Sequence, residues 1–381
     1  MANKAIKYRL YPTADQERSF AQTFGNCRYV WNQALGWRIA AYDADGTRLN
    51  YNDTAFAITK MKKYMPWLSD SDSAALQQTL RHLQTAFESF FKGESGFPKF
   101  KTKHTSKKSY TTPCQYPKSG KPTVRVGENY VHLPVIGDVP AIIHRKAKDG
   151  WKAKSATVSQ DAAGDYYCSI LYEYDEGTIP VSTGAKAIGL DYKSEGLYMD
   201  SDGLCAGMPK RFRDSQKKLA KAQHDLSRKQ GSRKGEKKSK NWIKQQKRVN
   251  KIHRKIAHQR CDQLQKRSTE IANRYDLVCI EDLNSKVMGN KGFGNGKATN
   301  DNGWGMFTRM LEYKLADRGK HLIRVNRWYP SSQICHMCGH KQKMPVSVRR
   351  YKCPACGMVF DRDHNAAINI LNEGIRIFQA A

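Results

Sequence analysis

Long apolar runs are missing from this sequence, since none approaches the ~18 residues that a membrane-spanning helix needs. The first eleven residues, MANKAIKYRLY, also lack the apolar centre of a signal peptide. We therefore expect a protein that is neither exported nor inserted in a membrane, and that has no membrane partner. A reducing cytoplasm fits best, because the ten cysteines do not form the pattern of a disulfide scaffold.

Acidic residues are scarce: 35 Asp and Glu stand against 66 Lys and Arg among 381 residues, which leaves a formal net charge of +31. A field of this sign attracts phosphate backbones. Hydrophobic residues make up 39% and aromatic residues 10% of the chain, which excludes a disordered polycation or a histone-like tail. The length allows two or three domains.

Four cysteines have the spacing of a metal site: Cys335-x-x-Cys338 is followed, after 14 residues, by Cys353-x-x-Cys356. Each CxxC turn places two sulfurs on one side of a tight knuckle, and two knuckles make a tetrahedral site that suits Zn²⁺. A closed four-cysteine site has no open position for a substrate, so the predicted zinc is structural.

Other interpretations of this cluster stay open from the sequence alone. A redox-active pair and an iron–sulfur site also use CxxC turns, although the duplicated knuckles argue against the first. His336 or His340 could replace a cysteine as a ligand.

Three carboxylates stand where apolar segments end or a helix begins. Asp191 ends the apolar stretch KAIGLD, Glu281 ends LVCIE, and Asp363 lies in DRDHNAA at the start of a helix predicted from about 363 to 372. A buried carboxylate is costly unless it binds a cation. Three that converge could bind two divalent ions about 3.5–4 Å apart, one activating water and the other stabilising the leaving oxygen of a phosphodiester.

Each carboxylate also has a plainer interpretation. Asp191 could begin a turn, Glu281 could initiate the next loop, and Asp363 could be a helix N-cap. Asp361 is the other cap candidate, and chemistry alone does not separate it from Asp363. The zinc-type cluster directly before the third carboxylate makes the combination specific.

Taken together, the motifs resemble those of the TnpB (OrfB) family encoded by bacterial insertion sequences, which are RNA-guided DNA endonucleases related to type V CRISPR effectors. The resemblance covers nearly the whole chain. Its segments are YRLYP at 8–12, NCRYVWN at 26–32, GLD at 189–191, IEDLN at 280–284, WGMF at 304–307, EYK at 312–314, YPSSQIC at 329–335 and DRDHNAA at 361–367. One departure is Lys193-Ser194, where many relatives carry a glycine.

The resemblance implies that Asp191, Glu281 and Asp363, rather than Asp361, are catalytic and bind two Mg²⁺ ions. It implies a non-coding guide RNA as partner and double-stranded DNA beside a short motif as target, with one RuvC site cutting both strands. Such a bacterial protein would work in association with the nucleoid. Two rivals stay open: a guide-independent transposase or nuclease with an RNase H-like site, and a catalytically silent, guided DNA-binding repressor.

The expected fold class is a multidomain α/β protein. Apolar spacings of three and four predict helices within residues 12–100, and alternating segments predict a small β-barrel that the N-terminal strand joins. By resemblance, residues 1–11 and 101–180 form a wedge β-barrel that carries a helical recognition domain at 12–100. An RNase H-like (RuvC) nuclease domain occupies 181–330 and 357–381, with a zinc ribbon at 331–356.

Residues 209–260 hold 20 Lys and Arg but only three acidic residues, within a helical pattern that breaks near Gly231 and Gly235. The acids are too few to neutralise the stretch, so a phosphate backbone is the natural counter-ion, although charge runs usually form a solvated face. The residues predicted to contact nucleic acid are Lys210, Arg211, Arg213, Lys217, Lys218, Lys221, Lys244, Lys247, Arg248, Lys251, Arg254 and Lys255.

A second basic stretch covers residues 99–108, with Phe97, Phe100 and Tyr110 in and around it. These rings, like Tyr8 and Tyr11, could equally stack on bases or fill the core. The segment GFGNG at 292–296 lacks the following Lys-Ser/Thr pair and the preceding strand of a phosphate-binding loop, so we interpret it as a mobile lid near Glu281.

Overall fold

The computed structural model describes residues 2–118, 120–175, 177, 179–194, 196–207, 211–233, 235–283, 303–345 and 347–380, with residues 211–213 as backbone alone. The chain divides into two compact units, Met1–Gly177 and Thr178–Ala381. Within the described ranges, every helix is too short or too polar to cross a membrane. The two units are considered separately below.

The first unit combines helices with an antiparallel sheet. Its helices are α1 (Ala14–Asp45), α2 (Tyr51–Tyr64) and α3 (Ser73–Phe91), with a 3₁₀ turn at Pro66–Asp70. Its strands are β1 (Ala2–Leu10), β2 (Ser109–Pro113), β3 (Arg125–Val126), β4 (Tyr130–Leu133), β5 (Gly137–Ile142), β6 (Lys152–Gln160) and β7 (Tyr166–Tyr174).

Helix α1 begins where the sequence predicts, directly after Pro12. The Thr13 hydroxyl accepts a hydrogen bond from the backbone N–H of Gln16, and the Gln16 side chain accepts one from the backbone N–H of Thr13. This reciprocal capping box satisfies two N–H groups that a helix start would otherwise leave unpaired. Gly46, at φ 76°, closes the other end in the left-handed conformation that glycine adopts without strain.

The seven strands follow the order β2-β6-β7-β1-β5-β4-β3, with every neighbouring pair antiparallel. The N-terminal strand β1 lies in the middle of the sheet, as expected for a strand that joins the later β-rich segment. Strands β2 and β3 form the two edges and are not paired with each other among the described residues. The sheet is therefore a half-barrel with two edges among the described residues, a more open form of the predicted small β-barrel.

The helices and the sheet of this unit share one hydrophobic core. Phe20 of α1 stacks on Tyr166 of β7 with ring centroids 5.4 Å apart, and Phe24 contacts Tyr110 of β2. Tyr110 is thus a core residue. The division of this unit into a wedge and a recognition domain stays a prediction.

The other rings proposed as stacking surfaces divide between core and surface. Tyr8 is fully buried, whereas Tyr11, Phe97 and Phe100 are about half exposed. Burial therefore removes Tyr8 as a base-stacking candidate and leaves the other three in contact with solvent.

The second unit contains a mixed sheet flanked by helices. Its strands are β8 (Ala187–Tyr192), β9 (Tyr198–Asp200), β10 (Cys205–Ala206), β11 (Leu277–Glu281), β12 (His321–Val325), β13 (Arg350–Lys352) and β14 (Val359–Asp361). Its helices are α4 (Arg211–Ser227), α5 (Lys240–Arg274), α6 (Trp304–Ala316) and α7 (Arg362–Gln379).

Five of these strands form one sheet in the order β10-β9-β8-β11-β12. Strands β8, β11 and β12 run parallel, and β9 and β10 extend the sheet antiparallel beside β8. Leu277–Ile280 of β11 are all buried, as the continuous apolar run predicts for a central strand. The carboxyl ends of β8 and β11 consequently meet at one edge of the sheet.

Helix α7 packs across β8, β11 and β12 and depends on two glycines to do so. A Cβ on Gly189 of β8 would collide with the carbonyl oxygen of Ala367, and a Cβ on Gly374 of α7 would collide with the Cys279 sulfur. The helix runs to Gln379, seven residues beyond the predicted end at 372, because Ile375 and Phe378 continue its apolar face.

The substitution Gly189→Ala tests this close approach. The added Cβ meets backbone that cannot move independently of α7, so we expect the free energy of unfolding to fall by about 1–3 kcal/mol. Thermal unfolding of the purified chain measures the effect. Gly207→Ala is the matched control, since its Cβ would meet nothing within 4 Å and should change stability by no more than about 0.5 kcal/mol. Equal stability of the two variants would contradict the packing argument.

Candidate active site

Two of the three predicted carboxylates end adjacent parallel strands. Ile280 of β11 lies opposite Leu190 of β8, so the next residue on each strand is Glu281 or Asp191. Side chains at matching positions of neighbouring strands project from the same face of a sheet. The register therefore brings these two carboxylates to one side of the sheet edge.

The third carboxylate comes from the first turn of α7, and the structure distinguishes it from its neighbour. Asp361 is the N-cap, with its side chain accepting hydrogen bonds from the backbone N–H groups of Asp363 and His364. Asp363 is buried, with only 7% of its surface exposed. Asp361 thus has the capping role considered for Asp363, and the Asp363 carboxylate has other partners.

Asp191, Glu281 and Asp363 line a single cleft of about 750 Å³. The same cleft is lined by four basic side chains, Lys193, Arg327, Arg349 and Arg362. The arrangement is an acidic centre within a cationic wall, which suits a ligand that carries both bound cations and phosphate.

Burial acts on the first two carboxylates, and neighbouring negative charge acts on Asp191 as well. Desolvation raises the pKa of Asp191 well above its ordinary range, and the neighbouring charges of Glu281 and Asp363 raise it further, against the opposing effect of Arg362 and Lys193. Desolvation also raises the pKa of Glu281. Burial therefore makes the ionised form of each group less favourable than it is in water, and a bound cation would offset that cost.

Side-chain cations already surround the third carboxylate. The Asp363 oxygens lie 2.9 Å from Arg362 Nη2, 3.5 Å from Lys193 Nζ and 3.7 Å from Arg349 Nη1. Lys193 belongs to the Lys193-Ser194 pair noted above as a departure from the resemblance, and it places an ammonium group beside the carboxylates.

The cysteine cluster assembles as its spacing predicts. The four sulfurs of Cys335, Cys338, Cys353 and Cys356 all lie within 4.8 Å of one another, and two of the separations are 3.5 and 3.7 Å. Tetrahedral Zn²⁺ with bonds of about 2.3 Å requires sulfurs roughly 3.8 Å apart, so the donor set fits zinc. Backbone N–H groups of Cys356 and Ala355 lower the pKa of Cys353 to about 6, whereas desolvation and the neighbouring sulfurs raise the pKa of Cys338 to about 12 and raise that of Cys356.

Neither histidine considered as a substitute belongs to this group. His336 hydrogen-bonds through Nδ1 to the Asn365 side chain, at 2.9 Å. Within the described part of the chain, the cysteines are the one set of three or more potential ligands gathered within 4.8 Å. The three carboxylates are spread more widely than the cysteine sulfurs. A wider spread is compatible with two shared ions, because the two ions themselves lie about 3.5–4 Å apart.

Three family models match the chain. HTH_OrfB_IS605, described as a helix-turn-helix domain, matches residues 1–47. OrfB_IS605, described as a probable transposase, matches 169–291, and the Cas12f1-like TNB domain matches 304–370. The last two ranges contain the three carboxylates and the four cysteines.

Two relatives are similar to this chain over nearly its whole length. A protein of Streptomyces pristinaespiralis named "Putative RNA-guided DNA endonuclease" is 37% identical over 98% of this chain and 89% of its own length. "Putative RNA-guided DNA endonuclease InsQ" of Escherichia coli (strain K12) is 32% identical over 97% and 92%. This chain belongs to the TnpB (OrfB) family.

A solved structure resembles this TnpB-family chain in fold. The Cas12f1 chain in a cryo-EM structure of the Cas12f1–sgRNA–target DNA complex gives a TM-score of 0.53 and 13% identity, covering 97% of this chain and 99% of that one. At this identity the likeness concerns the fold alone. It agrees with the α/β class expected from the sequence.

Sequence reasoning did not single out the residues that hold Glu281 in place. Ser331 is buried and donates a hydrogen bond of 2.5 Å to Glu281 Oε1. The Asn369 side chain donates to the backbone oxygens of Ser331 and Ile334, and the Asn365 side chain donates to Ile334 as well. The sequence did contain one indication of these contacts. Asn365 and Asn369 lie four residues apart on an otherwise apolar face of the helix, where buried amides need hydrogen-bond partners.

These contacts connect the cysteine cluster to the cleft. Ser331 precedes Cys335 by four residues, and Asn365 also accepts a hydrogen bond from the backbone N–H of His336, inside the first CxxC turn. The ribbon, α7 and Glu281 are therefore joined by hydrogen bonds between buried groups. Such bonds are costly to break because an unpaired buried donor loses its solvation.

The basic segment forms two helices, α4 and α5, as predicted, with the break at residues 228–239. They pack through a small apolar seam of Leu219, Ala222 and Val249. Ile243 of α5 is 46% exposed and lies outside this seam. The exposed members of the predicted nucleic-acid set are Lys217, Lys218, Lys221, Lys244, Lys247, Arg248, Lys251 and Lys255.

The remaining members of that set are either partly buried or outside the described residues. Arg254 is half-buried. Lys210 lies outside the described residues, as do the side chains of Arg211 and Arg213. The predicted lid at 292–296 also lies outside them.

Zinc binding is tested by metal analysis of the purified chain. We expect about one zinc per chain, and its loss in Cys335→Ser, because three sulfurs and a hydroxyl bind Zn²⁺ far less tightly than four sulfurs. Cys205→Ser removes an exposed cysteine outside the cluster and should retain the metal. Iron in place of zinc, or full zinc in Cys335→Ser, would refute the assignment.

Proposed function

We propose that this chain is an RNA-guided DNA endonuclease that cuts double-stranded DNA at the cleft of Asp191, Glu281 and Asp363. The observation that carries the proposal is the register of β8 and β11, which ends two buried parallel strands in carboxylates beside a third on α7. Relatives named as RNA-guided DNA endonucleases, similar over nearly the full length, support the choice of reaction.

The three carboxylates are the proposed ligands of two Mg²⁺ ions. Magnesium prefers carboxylate oxygens and water, and burial raises the pKa of Asp191 and Glu281, an effect that a bound cation would offset. When bound, the two ions supply activation of water and stabilisation of the leaving oxygen. The donor set of the cleft fits this role.

The surrounding side chains have distinct parts in the reaction. Ser331 orients the Glu281 carboxylate through its 2.5 Å hydrogen bond. Arg327 and Arg349 are about half exposed or more on the cleft wall and would hold the phosphate backbone of the strand being cut. Lys193 and Arg362 hold Asp363 in place by charge.

Guide and target would be held by the basic surface of α4 and α5. The eight exposed lysines and arginines there lie between the first two carboxylate motifs along the chain. Base pairing with a non-coding RNA would read the sequence, while the protein reads a short duplex motif and backbone shape. With a single RuvC site, the two strands would be cut in turn in the bacterial nucleoid.

The four-part domain division predicted from the sequence fits this function. Residues 181–330 and 357–381 would form the RuvC nuclease, with the zinc ribbon at 331–356 inserted before α7. The asparagine contacts of α7 give the ribbon a role in shaping the cleft, beyond holding its own fold.

A second candidate is a guide-independent transposase, which the description of the matching family model favours. The two differ in their need for RNA. A guided enzyme purifies with stoichiometric RNA, seen as ultraviolet absorbance that ribonuclease removes, whereas RNA-free protein that joins or cuts specific DNA would favour the transposase.

The main test is cleavage of a plasmid matched to the copurifying RNA. Asp191→Ala should reduce the cleavage rate by at least about a hundredfold, because it removes a direct metal ligand. Asp262→Ala removes an exposed carboxylate of α5 paired with Lys266 and serves as the control. Unchanged cleavage by Asp191→Ala would overturn the catalytic assignment.

The role of Ser331 is tested by Mg²⁺ affinity, measured by calorimetry. A hydrogen bond to a charged group contributes about 1.5–3 kcal/mol, so Ser331→Ala should weaken Mg²⁺ binding by at least about tenfold. Ser331→Thr keeps the hydroxyl and should restore affinity. Ser332→Ala, in the same loop, is the control, and an equal loss in both alanine variants would exclude a specific role for Ser331.

A further inference from the structure

The first unit contains a second cavity, here called the α1–α3 pocket, of about 460 Å³ between the C-terminal parts of α1 and α3 and the segments that follow them. This volume is in the range of roughly 300–1,000 Å³ that small-molecule sites occupy. Its aromatic walls are formed by Tyr42, Phe87, Phe90, Phe91 and Phe97. Three of the rings, Tyr42, Phe91 and Phe97, are 45–68% exposed.

Polar atoms without partners are concentrated in residues of this pocket. In the described part of the chain, four buried side-chain nitrogen or oxygen atoms make no hydrogen bond. Three of the four are Nε and Nη2 of Arg38 and Oε1 of Gln84, and both residues line the pocket. Arg38 is only 7% exposed. Buried donors and acceptors are normally paired, so this concentration points to a ligand.

The geometry of the donors limits what that ligand can be. Nε and Nη2 lie on one edge of the guanidinium and present two parallel N–H groups, which match two adjacent acceptors. Gln84 adds an acceptor, since its amide nitrogen is engaged with Glu88 at 3.0 Å. The ligand therefore offers a pair of acceptors and at least one donor.

The charges of the lining residues argue against an anion. Arg38 and Arg48 are balanced by Asp43 and Glu88, so the pocket has no net charge. A phosphate or carboxylate group would meet two like charges there. The aromatic walls favour a flat, neutral ring, and the Arg48 guanidinium already lies 5.9 Å from the centroid of the Phe91 ring.

We propose that the α1–α3 pocket binds one unpaired guanine base of a nucleic acid. Guanine presents O6 and N7 as adjacent acceptors, which arginine recognises with two hydrogen bonds, and it also carries N–H donors. Stacking on Phe91, with Phe97 lining the pocket beside the base, replaces the stacking that the base loses when it leaves its strand. The base comes from RNA or from DNA, and the chemistry of recognition is the same for both.

This inference rests on the proposed function only in taking a nucleic acid as the occupant. It adds a base-specific contact on the first unit, separate from the cleft of the second. In this proposal the half-exposed ring of Phe97 helps to form the wall of a base-binding pocket.

Fluorescence anisotropy with single-stranded hexanucleotides tests the proposal, using the full chain freed of nucleic acid on a heparin column. Probes with five uridines or thymidines and one central guanosine have the same charge as probes without guanosine, so the electrostatic contribution cancels. We expect the guanosine probe to bind at least about tenfold more tightly, and 7-deazaguanosine, which lacks the N7 acceptor, to lose the preference. RNA and DNA probes identify the source of the base.

Variants locate the preference in the pocket. Arg38→Met and Phe91→Ala should each abolish it, and Phe91 is exposed enough for its replacement to leave the fold intact. Phe56→Ala removes an equally exposed ring on α2 outside the pocket and should keep the preference. Equal binding of guanosine and 7-deazaguanosine probes, or a preference that survives Phe91→Ala, would overturn the proposal.

Failure of this proposal is distinguishable from failure of the proposed function. Hexanucleotide binding requires no cleavage, and plasmid cleavage by the unmodified chain is measured separately. A chain that cuts matched DNA without a guanine preference retains its proposed function and loses this site.

Discussion

The contact between α7 and the sheet beneath it determines the geometry of the cleft. Gly189 and Gly374 let the helix backbone approach β8 and β11 more closely than any side chain would permit. This approach sets the height and direction of the first turn of α7, where Asp363 lies. The strand register fixes the other two carboxylates, so all three positions follow from backbone packing within one unit.

Burying three carboxylates close together is electrostatically unfavourable, and neighbouring basic and hydroxyl side chains offset part of that cost. Burial in the cleft raises the pKa of Asp191 and Glu281, and the neighbouring carboxylates raise the pKa of Asp191 further. Arg362 and Lys193 lie beside Asp363 and act in the opposite direction on the pKa of Asp191. Ser331 offsets part of the burial cost at Glu281 by donating a hydrogen bond that lowers the pKa of that group. The remaining imbalance is what a divalent cation would remove.

The sequence was sufficient for features that local pattern determines. Helices form within residues 12–100 as the apolar spacing predicts, the four cysteines meet as their spacing indicates, and the two apolar strands end in their carboxylates at a shared edge. Features that depend on tertiary contacts were not accessible. The open edges of the half-barrel depend on pairing between distant strands, and the support of Glu281 by Ser331 depends on residues 50 positions apart in the chain.

The choice between Asp361 and Asp363 shows the limit of what the sequence pattern alone can predict. Both have the same chemistry, and either could cap a helix or bind a metal. The three-dimensional position separates them, because the Asp361 side chain accepts two backbone N–H groups while Asp363 faces three basic side chains. If α7 began two residues later, Asp363 would occupy the N-cap position that Asp361 has here.

The close approach at Gly189 also has a genetic consequence. Every missense change of a glycine codon introduces a side chain with a Cβ, so no conservative replacement is available at this position. Alleles that displace the first turn of α7 therefore arise by single-nucleotide changes at codons 189 and 374, although neither residue carries a functional group. For this chain, the shape of the cleft depends in part on two positions that must have no side chain.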